Sequence, residues 1–393
     1  MIGFGKVISI FLVTLSVAGS QAKPKTDYVN RARKTLEQIF KFYDAGHDNL
    51  FNENYPVRPG EKVSYLAGDD TIKGQRSAYL WPSSGVFSGV NALLKTTGSK
   101  KYVKIIENKL LPGFANYFDT GRDPPCYQSY ITQAGKADRY YDDNIWLAID
   151  FCDLYKISGK QKYLEESEEL WKFVQSGWDD KLGGGIYWCE QKKQSKNTCS
   201  NAPASVLAFK LFEATRDSTY FKWGLRIYNW TKTNLQDSTD YLYFDNKSLT
   251  GRIDKRKYTY NSGQMLQASA ILYKLTGQKS YLVEAQTIAK SIIVWFTEDY
   301  TTPEGRKIRL FKNTGNWFNA VLLRGYIELY SIDGNEMHIQ TFRDNVDQVW
   351  DHVRDENGLF SKDWKGEKTD DYKWLLDQAA LVELFAVLAG AER

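Results

Sequence analysis

"LYKISGKQKYL" runs from Leu154 to Leu164, and four other stretches share its plan. "LLKTTGSKKYV" starts at Leu93, "LFEATRDSTYF" at Leu211, "LYKLTGQKSYL" at Leu272 and "LYSIDGNEMHI" at Leu329. The five starts are separated by 61, 57, 61 and 57 residues, a spacing too even for chance. Each copy reads as the end of one helix, a tight turn and the start of another. Gly98, Gly159, Gly277 and Gly334 supply the residue that closes a helix in the left-handed conformation. Arg216 takes that place in the third copy, which predicts a different turn there.

The two helices flanking each turn differ in character. Before Gly159 come Ile145, Trp146, Leu147, Ala148, Ile149, Phe151 and Cys152, apolar nearly all round, which predicts a buried helix. After it, with no Ser or Thr to cap the start, Tyr163, Leu164, Leu170, Trp171 and Val174 share one face. Glu165, Glu166, Glu168 and Glu169 lie elsewhere on that helix, which predicts an outer, amphipathic one. A helix near 27–43 precedes the first copy and another near 372–388 follows the last. The count reaches twelve, alternately outer and inner. The fold class expected is all-α: an (α/α)6 toroid of six helical hairpins in one domain, residues 23–393. An open solenoid is the alternative.

A second series supports closure. "GHDNLFNENY", "FDTGRDPPCY", "GWDDKLGGGIYW", "DSTDYLYFDN", "EDYTTPEGRKIRLF" and "RDENGLFSKDW" each follow an outer helix. They read as short β-hairpins or turns. All six must emerge at one end of the ring, with the N-termini of the inner helices. A cleft is expected there, walled by "LWPSSGVF", "YYDDNIW", "NTCSNAP", "YTYNSGQ", "NTGNWFN" and "TDDYKWL".

Composition narrows the ligand. Of 393 residues, 15% are aromatic, an excess that suits stacking on flat apolar faces. Net charge is only +4 with no dense Lys/Arg stripe, which argues against nucleic acid. Three histidines, none beside a motif, give no basis for a His triad or a multi-histidine metal centre. No cysteine spacing matches a zinc site, so no metal or cofactor is expected. Residues 1–22 read as a signal peptide: Lys6, then the apolar "VISIFLVTLSVAG", then Ser20-Gln21-Ala22. The apolar run is short for a membrane span, so no stable membrane insertion is expected after its removal. A periplasmic or secreted monomer is expected. Export permits disulfides, and among Cys126, Cys152, Cys189 and Cys199 the best-placed pair is Cys189 with Cys199, both read as outside helices.

The chemistry points to carbohydrate. Aromatics, amides and acids meet at the inner-helix starts: flat faces for sugar rings and polar groups for hydroxyls. Within "YYDDNIW", Asp142 and Asp143 stand side by side. Cleaving a glycosidic bond takes two carboxyl groups, and two so close cannot both ionise freely. The plain alternative is that Asp142 caps the helix and Asp143 favours its dipole. Asp179-Asp180 reads as a turn, Asp69-Asp70 lies in a long loop, and Asp370-Asp371, read as the head of the last inner helix, is the rival pair. Trp81, Tyr140, Tyr141, Asn144, Trp188, Asn201, Tyr260, Asn261, Trp317 and Asp371 are the expected substrate-binding residues.

The stretch from Tyr140 to Trp188 resembles glycoside hydrolase family 76, the endo-α-1,6-mannanases, with Tyr-Asp-Asp-Asn followed by Trp as its most specific mark. "KNTCSNAPASVLAFKLF", "YTYNSGQMLQASAILYKLTGQKSYL" and "LFKNTGNWFNAVLLRGYIELY" extend it over most of the chain. The resemblance implies an (α/α)6 fold and retaining cleavage of α-mannan or manno-oligosaccharide, with no metal in the catalytic step. It implies Asp142 as nucleophile and Asp143 as general acid/base. Many members carry Trp-Trp-Gln at the second helix start, where this chain has "LWPSSGVFSGVNALL". The family also holds fungal wall proteins that carry lipid-anchor tails. The C-terminal "LVELFAVLAGAER" does not read as such a tail, which favours a bacterial hydrolase. A non-catalytic glycan-binding protein and a mannan transglycosylase are the alternatives.

Overall fold

The computed structural model describes residues 27–58, 63–68, 77–312 and 315–391. The expected leader, residues 1–22, and Asp69-Asp70 lie outside the described residues. Among the described residues no helix is long and apolar enough to cross a membrane.

Among the described residues, twelve helical rods alternate as the repeat requires. Outer α1 is Tyr28–Phe42 and inner α2 is Leu80–Thr97. Outer α3 is a continuous rod of Lys100–Ile105, a π-helical Ile106–Leu110 and Leu111–Phe114. Then follow inner α4 (Tyr141–Ser158), outer α5 (Gln161–Ser176), inner α6 (Thr198–Thr215) and outer α7 (Ser218–Leu235). Inner α8 (Thr259–Thr276), outer α9 (Lys279–Phe296), inner α10 (Asn316–Asp333), outer α11 (Glu336–His352) and inner α12 (Leu375–Ala391) complete the ring. The inner helices pack in sequence, and α12 packs on α2, which closes an (α/α)6 toroid.

Patterning places each helix. Inner α12 buries every residue from Leu375 to Ala386, whereas outer α5 buries one stripe: Tyr163, Leu164, Ser167, Leu170, Trp171, Phe173 and Val174. Close approach between inner helices needs residues without side chains. A Cβ on Gly325 of α10 would lie 2.4 Å from the Gly263 carbonyl of α8. The five tight turns at the closed end share one geometry. Gly98, Gly159, Gly277 and Gly334 have φ between 63° and 69°, and Arg216 adopts φ 64°. The expectation of a different third turn is therefore corrected: the repeat imposes the left-handed cap on arginine, at a cost of about 1–2 kcal/mol.

The sixth hairpin joins the two ends of the chain, since α1 packs on α12. Strand β1 (Asn54–Tyr55) pairs antiparallel with Lys373–Trp374. The Tyr43 hydroxyl donates to the Lys373 carbonyl at 2.9 Å, and Leu375 N–H donates to the Glu53 carbonyl at 2.9 Å.

All six loop segments fold back on themselves at the open end. Strands β2 (Phe118–Asp119) and β3 (Cys126–Tyr127) pair, as do β7 (Thr297–Thr301) and β8 (Lys307–Phe311). Strands β4 (Ser195–Asn197), β5 (Phe244–Ser248) and β6 (Ile253–Lys257) form a three-stranded sheet in that order. Single bridges close the others: Asp44 with Phe51, Trp178 with Ile186, Gln236 with Tyr243 and Arg354 with Phe360. The described cysteines are all free thiols, which corrects the Cys189–Cys199 bridge. Cys199 is the second residue of α6, inside a helix, whereas the Cys189 backbone bridges to Tyr140.

Candidate active site

The head of α4 is held from two sides. Asn144 behaves as a strand partner: its Oδ1 accepts from Tyr127 N–H at 2.9 Å and its Nδ2 donates to the Tyr127 carbonyl at 2.9 Å. On the other side Tyr141 N–H donates to the Trp188 carbonyl at 3.0 Å. The Tyr141 ring stacks on Phe173 at 4.6 Å. Buried Arg139 makes a two-pronged ion pair with Glu190, at 2.6 and 2.5 Å, and fixes the Trp188 segment beside the helix start. These contacts hold the helix start that carries Asp142 and Asp143 into the cleft lining.

The two aspartates line a cleft of about 530 Å³ at the open end. Its apolar wall is formed by Trp81, Trp146, Trp317, Tyr260 and Phe318. Trp81 and Trp146 meet Trp317 edge-on at 5.3 and 5.0 Å, and Tyr260 stacks on Phe318 at 4.2 Å. Among the described residues, the indole N–H groups of Trp81 and Trp317 are buried without an acceptor. Tyr65 covers this wall, edge-on to Trp81 at 5.2 Å. Its hydroxyl donates to Glu53 at 2.8 Å, and Trp374 Nε1 donates to the same carboxylate at 2.6 Å.

The carboxyls differ in their surroundings. Both are half-buried, packed round by the cleft yet open to it. Asp142 accepts from Trp188 Nε1 at 3.1 Å through Oδ2 and from Asp143 N–H at 3.2 Å through Oδ1. Burial raises its pKa to about 7, and these donors oppose the rise. Asp143 is raised well above the ordinary value by burial and then by the charge of Asp142, with no offsetting donor among the described residues. Asp142 therefore ionises first, and Asp143 keeps its proton beside it. Asp142 Oδ1 also accepts from one free amide of the first turn, although the cap position itself is Tyr140 and carries no side-chain cap bond.

The expected binding residues divide. Trp81, Tyr140, Trp188, Tyr260 and Trp317 line the cleft with both aspartates. Tyr141 and Asn144 are buried in the contacts that hold α4. Asn201 does for α6 what Asn144 does for α4, pairing both ways with the Ile186 backbone at 2.7 and 2.8 Å. Asn261 is fully buried behind the cleft wall. Asp371 is exposed, four residues before α12, and does not reach the cleft. Lys373 and Trp374 pair with β1, and the helix begins only at Leu375. Asp179 holds its turn, accepting from Lys196 Nζ at 2.6 Å and from the Tyr187 hydroxyl at 2.7 Å.

Cys199, Asp245, Tyr65, Trp146, Tyr258 and Phe318 line the cleft beyond those expected. The repeat itself carried the signal for Cys199. Stepping from Asp142 by 57, 61 and 57 residues lands on Cys199, Tyr260 and Trp317. Asp245 sits on β5, outside the helical repeat, where no periodicity reports it. Among the described residues, no group of three or more His, Cys, Asp or Glu side chains is placed to hold a metal.

The family model of glycosyl hydrolase family 76 matches residues 28–392. The chain belongs to this family. A family 76 glycoside hydrolase from a bovine Bacteroides thetaiotaomicron strain superposes with a TM-score of 0.84 at 32% identity, covering 94% of this chain and 79% of that one. A family 76 mannosidase from Bacteroides thetaiotaomicron superposes with a TM-score of 0.84 at 30% identity, covering 94% and 99%. A putative mannan endo-1,6-α-mannosidase of Schizosaccharomyces pombe is 24% identical over 56% of this chain and 51% of its own. The chain spans about half the length of this relative and of a second one from the same yeast.

Proposed function

We propose that this family 76 protein is an exported, retaining endo-α-1,6-mannanase. The observation that carries the proposal is the adjacent pair Asp142 and Asp143, the first held by the Trp188 indole N–H and the Asp143 amide, at the head of one inner helix in an aromatic cleft. Ionised Asp142 attacks the anomeric carbon of a bound mannosyl unit. Protonated Asp143 gives its proton to the departing glycosidic oxygen, so a glycosyl ester forms as the old bond breaks. Asp143, now a carboxylate, takes a proton from water, which attacks the ester and releases Asp142. Trp188 holds the carboxylate of Asp142 through its indole N–H. The aromatic wall stacks on the sugar rings of neighbouring units. Relatives named as mannan endo-1,6-α-mannosidases support α-1,6-linked mannan as the substrate class.

The test is turnover of debranched α-1,6-mannan by the wild type, Asp142→Asn and Asp143→Asn. Shortened manno-oligosaccharides from the wild type and none from either variant are expected. Near-normal rates in either variant, or binding without product from the wild type, would overturn the reading.

A further inference from the structure

Lys196, the middle residue of β4, is fully buried, and its charge serves a neighbouring turn. Its Nζ donates to the Asp179 carboxylate at 2.6 Å and to the carbonyls of Asp179 at 3.0 Å, Lys181 at 2.8 Å and Gly184 at 2.6 Å. An ammonium has three N–H donors, and here they are shared among oxygens that all belong to the Gly-rich turn between α5 and β4. The Tyr187 ring belongs to the same clamp. Lys196 Nζ lies 4.8 Å from its centroid, and its hydroxyl donates to the second Asp179 oxygen at 2.7 Å. The Tyr187 backbone also bridges antiparallel to that of Lys196.

Successive residues of an extended chain face opposite sides. Tyr187, buried in the clamp, therefore sends Trp188 into the cleft lining. There the Trp188 indole packs against Tyr140 at 5.2 Å, and its Nε1 donates to Asp142 Oδ2 at 3.1 Å. Just beyond Trp188, Glu190 is fixed by Arg139. The indole that holds Asp142 thus rides on a short span tied at each end by a buried cation.

Resting on the assignment of Asp142 as nucleophile, we propose that Lys196 is a positioning residue for the reaction, acting through Tyr187 on Trp188. It lies outside the cleft lining, and no bond forms or breaks at its nitrogen. Lysine suits the clamp because its ammonium is a compact charge with rotatable donors, whereas the planar fork of arginine does not match oxygens gathered around one point.

The experiment uses the full chain with ¹⁵N-labelled tryptophan, in the wild type, Lys196→Ala, Tyr187→Phe and Trp188→Phe. The Trp188 Nε1–H signal is identified by its loss in Trp188→Phe. Lys196→Ala is expected to move that signal toward the position of a free indole and to speed its exchange with solvent. On debranched mannan, Lys196→Ala should lower kcat/KM by about tenfold, and should lower it little further in the Trp188→Phe background, because both changes break one linkage. In folded Lys196→Ala, an unmoved Trp188 signal, or a loss that adds in full to that of Trp188→Phe, would overturn the inference. Tyr187→Phe removes a single hydroxyl and decides the matter where Lys196→Ala does not fold. It should move the same signal in the same direction, and an unmoved signal would overturn the inference. The spectrum needs no turnover, so a moved signal in a protein that cleaves no mannan would uphold the linkage and sink only the mannanase reading.

Discussion

The two ends of the ring solve different problems. At the closed end, five turns repeat one backbone geometry, even where Arg216 must take a left-handed φ of 64°. At the open end, six hairpins differ in length, strand pairing and composition. Three of them are tied down by one device, a polar residue at the fourth position of the inner helix. Asn144, Asn201 and Gln378 each pair both ways with a hairpin backbone. Constancy at one end holds the helices in register, which leaves the other end free to vary around a fixed ring of helix heads. Stability and chemistry therefore separate along the toroid axis.

Substitutions at the two ends should accordingly fail in different ways. The largest expected effect is on catalysis alone. Asp142→Asn should lower kcat by about a thousandfold or more with the fold intact by circular dichroism. Asp143→Asn should also gain stability. A carboxyl with a folded pKa above its unfolded one holds extra protons in the folded state, so stability falls as pH rises between the two values. A melting temperature a few degrees above wild type is expected near pH 7, with the gap closing toward pH 4 in calorimetric scans. Trp188→Phe removes a donor to a charged group and should lower kcat/KM by about 10- to 100-fold, measured on debranched mannan.

Along the helices the failure should be structural. Gly325→Ala forces a Cβ against the Gly263 carbonyl and should cost about 1–3 kcal/mol in urea denaturation. At the closed end, Arg216→Gly should relieve the left-handed arginine and stabilise by about 1 kcal/mol, with turnover unchanged. A loss of activity in Arg216→Gly would break the separation of the two ends.

Legibility in the sequence followed the same division. The helices, their alternation and the closed-end turns were readable because each repeats a local rule: apolar periodicity, then a left-handed cap. The cleft walls were readable where they obey the repeat, as at Trp81, Asp142, Tyr260 and Trp317. Asn144 and Asn201 carry the composition of a sugar contact, but their amides serve the backbone, a use that depends on where hairpins land. Asp371 was misplaced because α12 starts later than its acids suggest: β1 claims that segment from more than 300 residues away. Asp245 comes from the hairpin strand β5 and Tyr65 from a loop, whose placement no local pattern reports.

The most direct test of a nucleophile and an acid at the head of α4 is the anomeric form of the first product. Proton NMR of debranched α-1,6-mannan during early turnover should show the new reducing ends appearing first as the α-anomer, with the β-anomer following by mutarotation. First appearance of the β-anomer would mean a single displacement by water and would contradict the covalent role of Asp142.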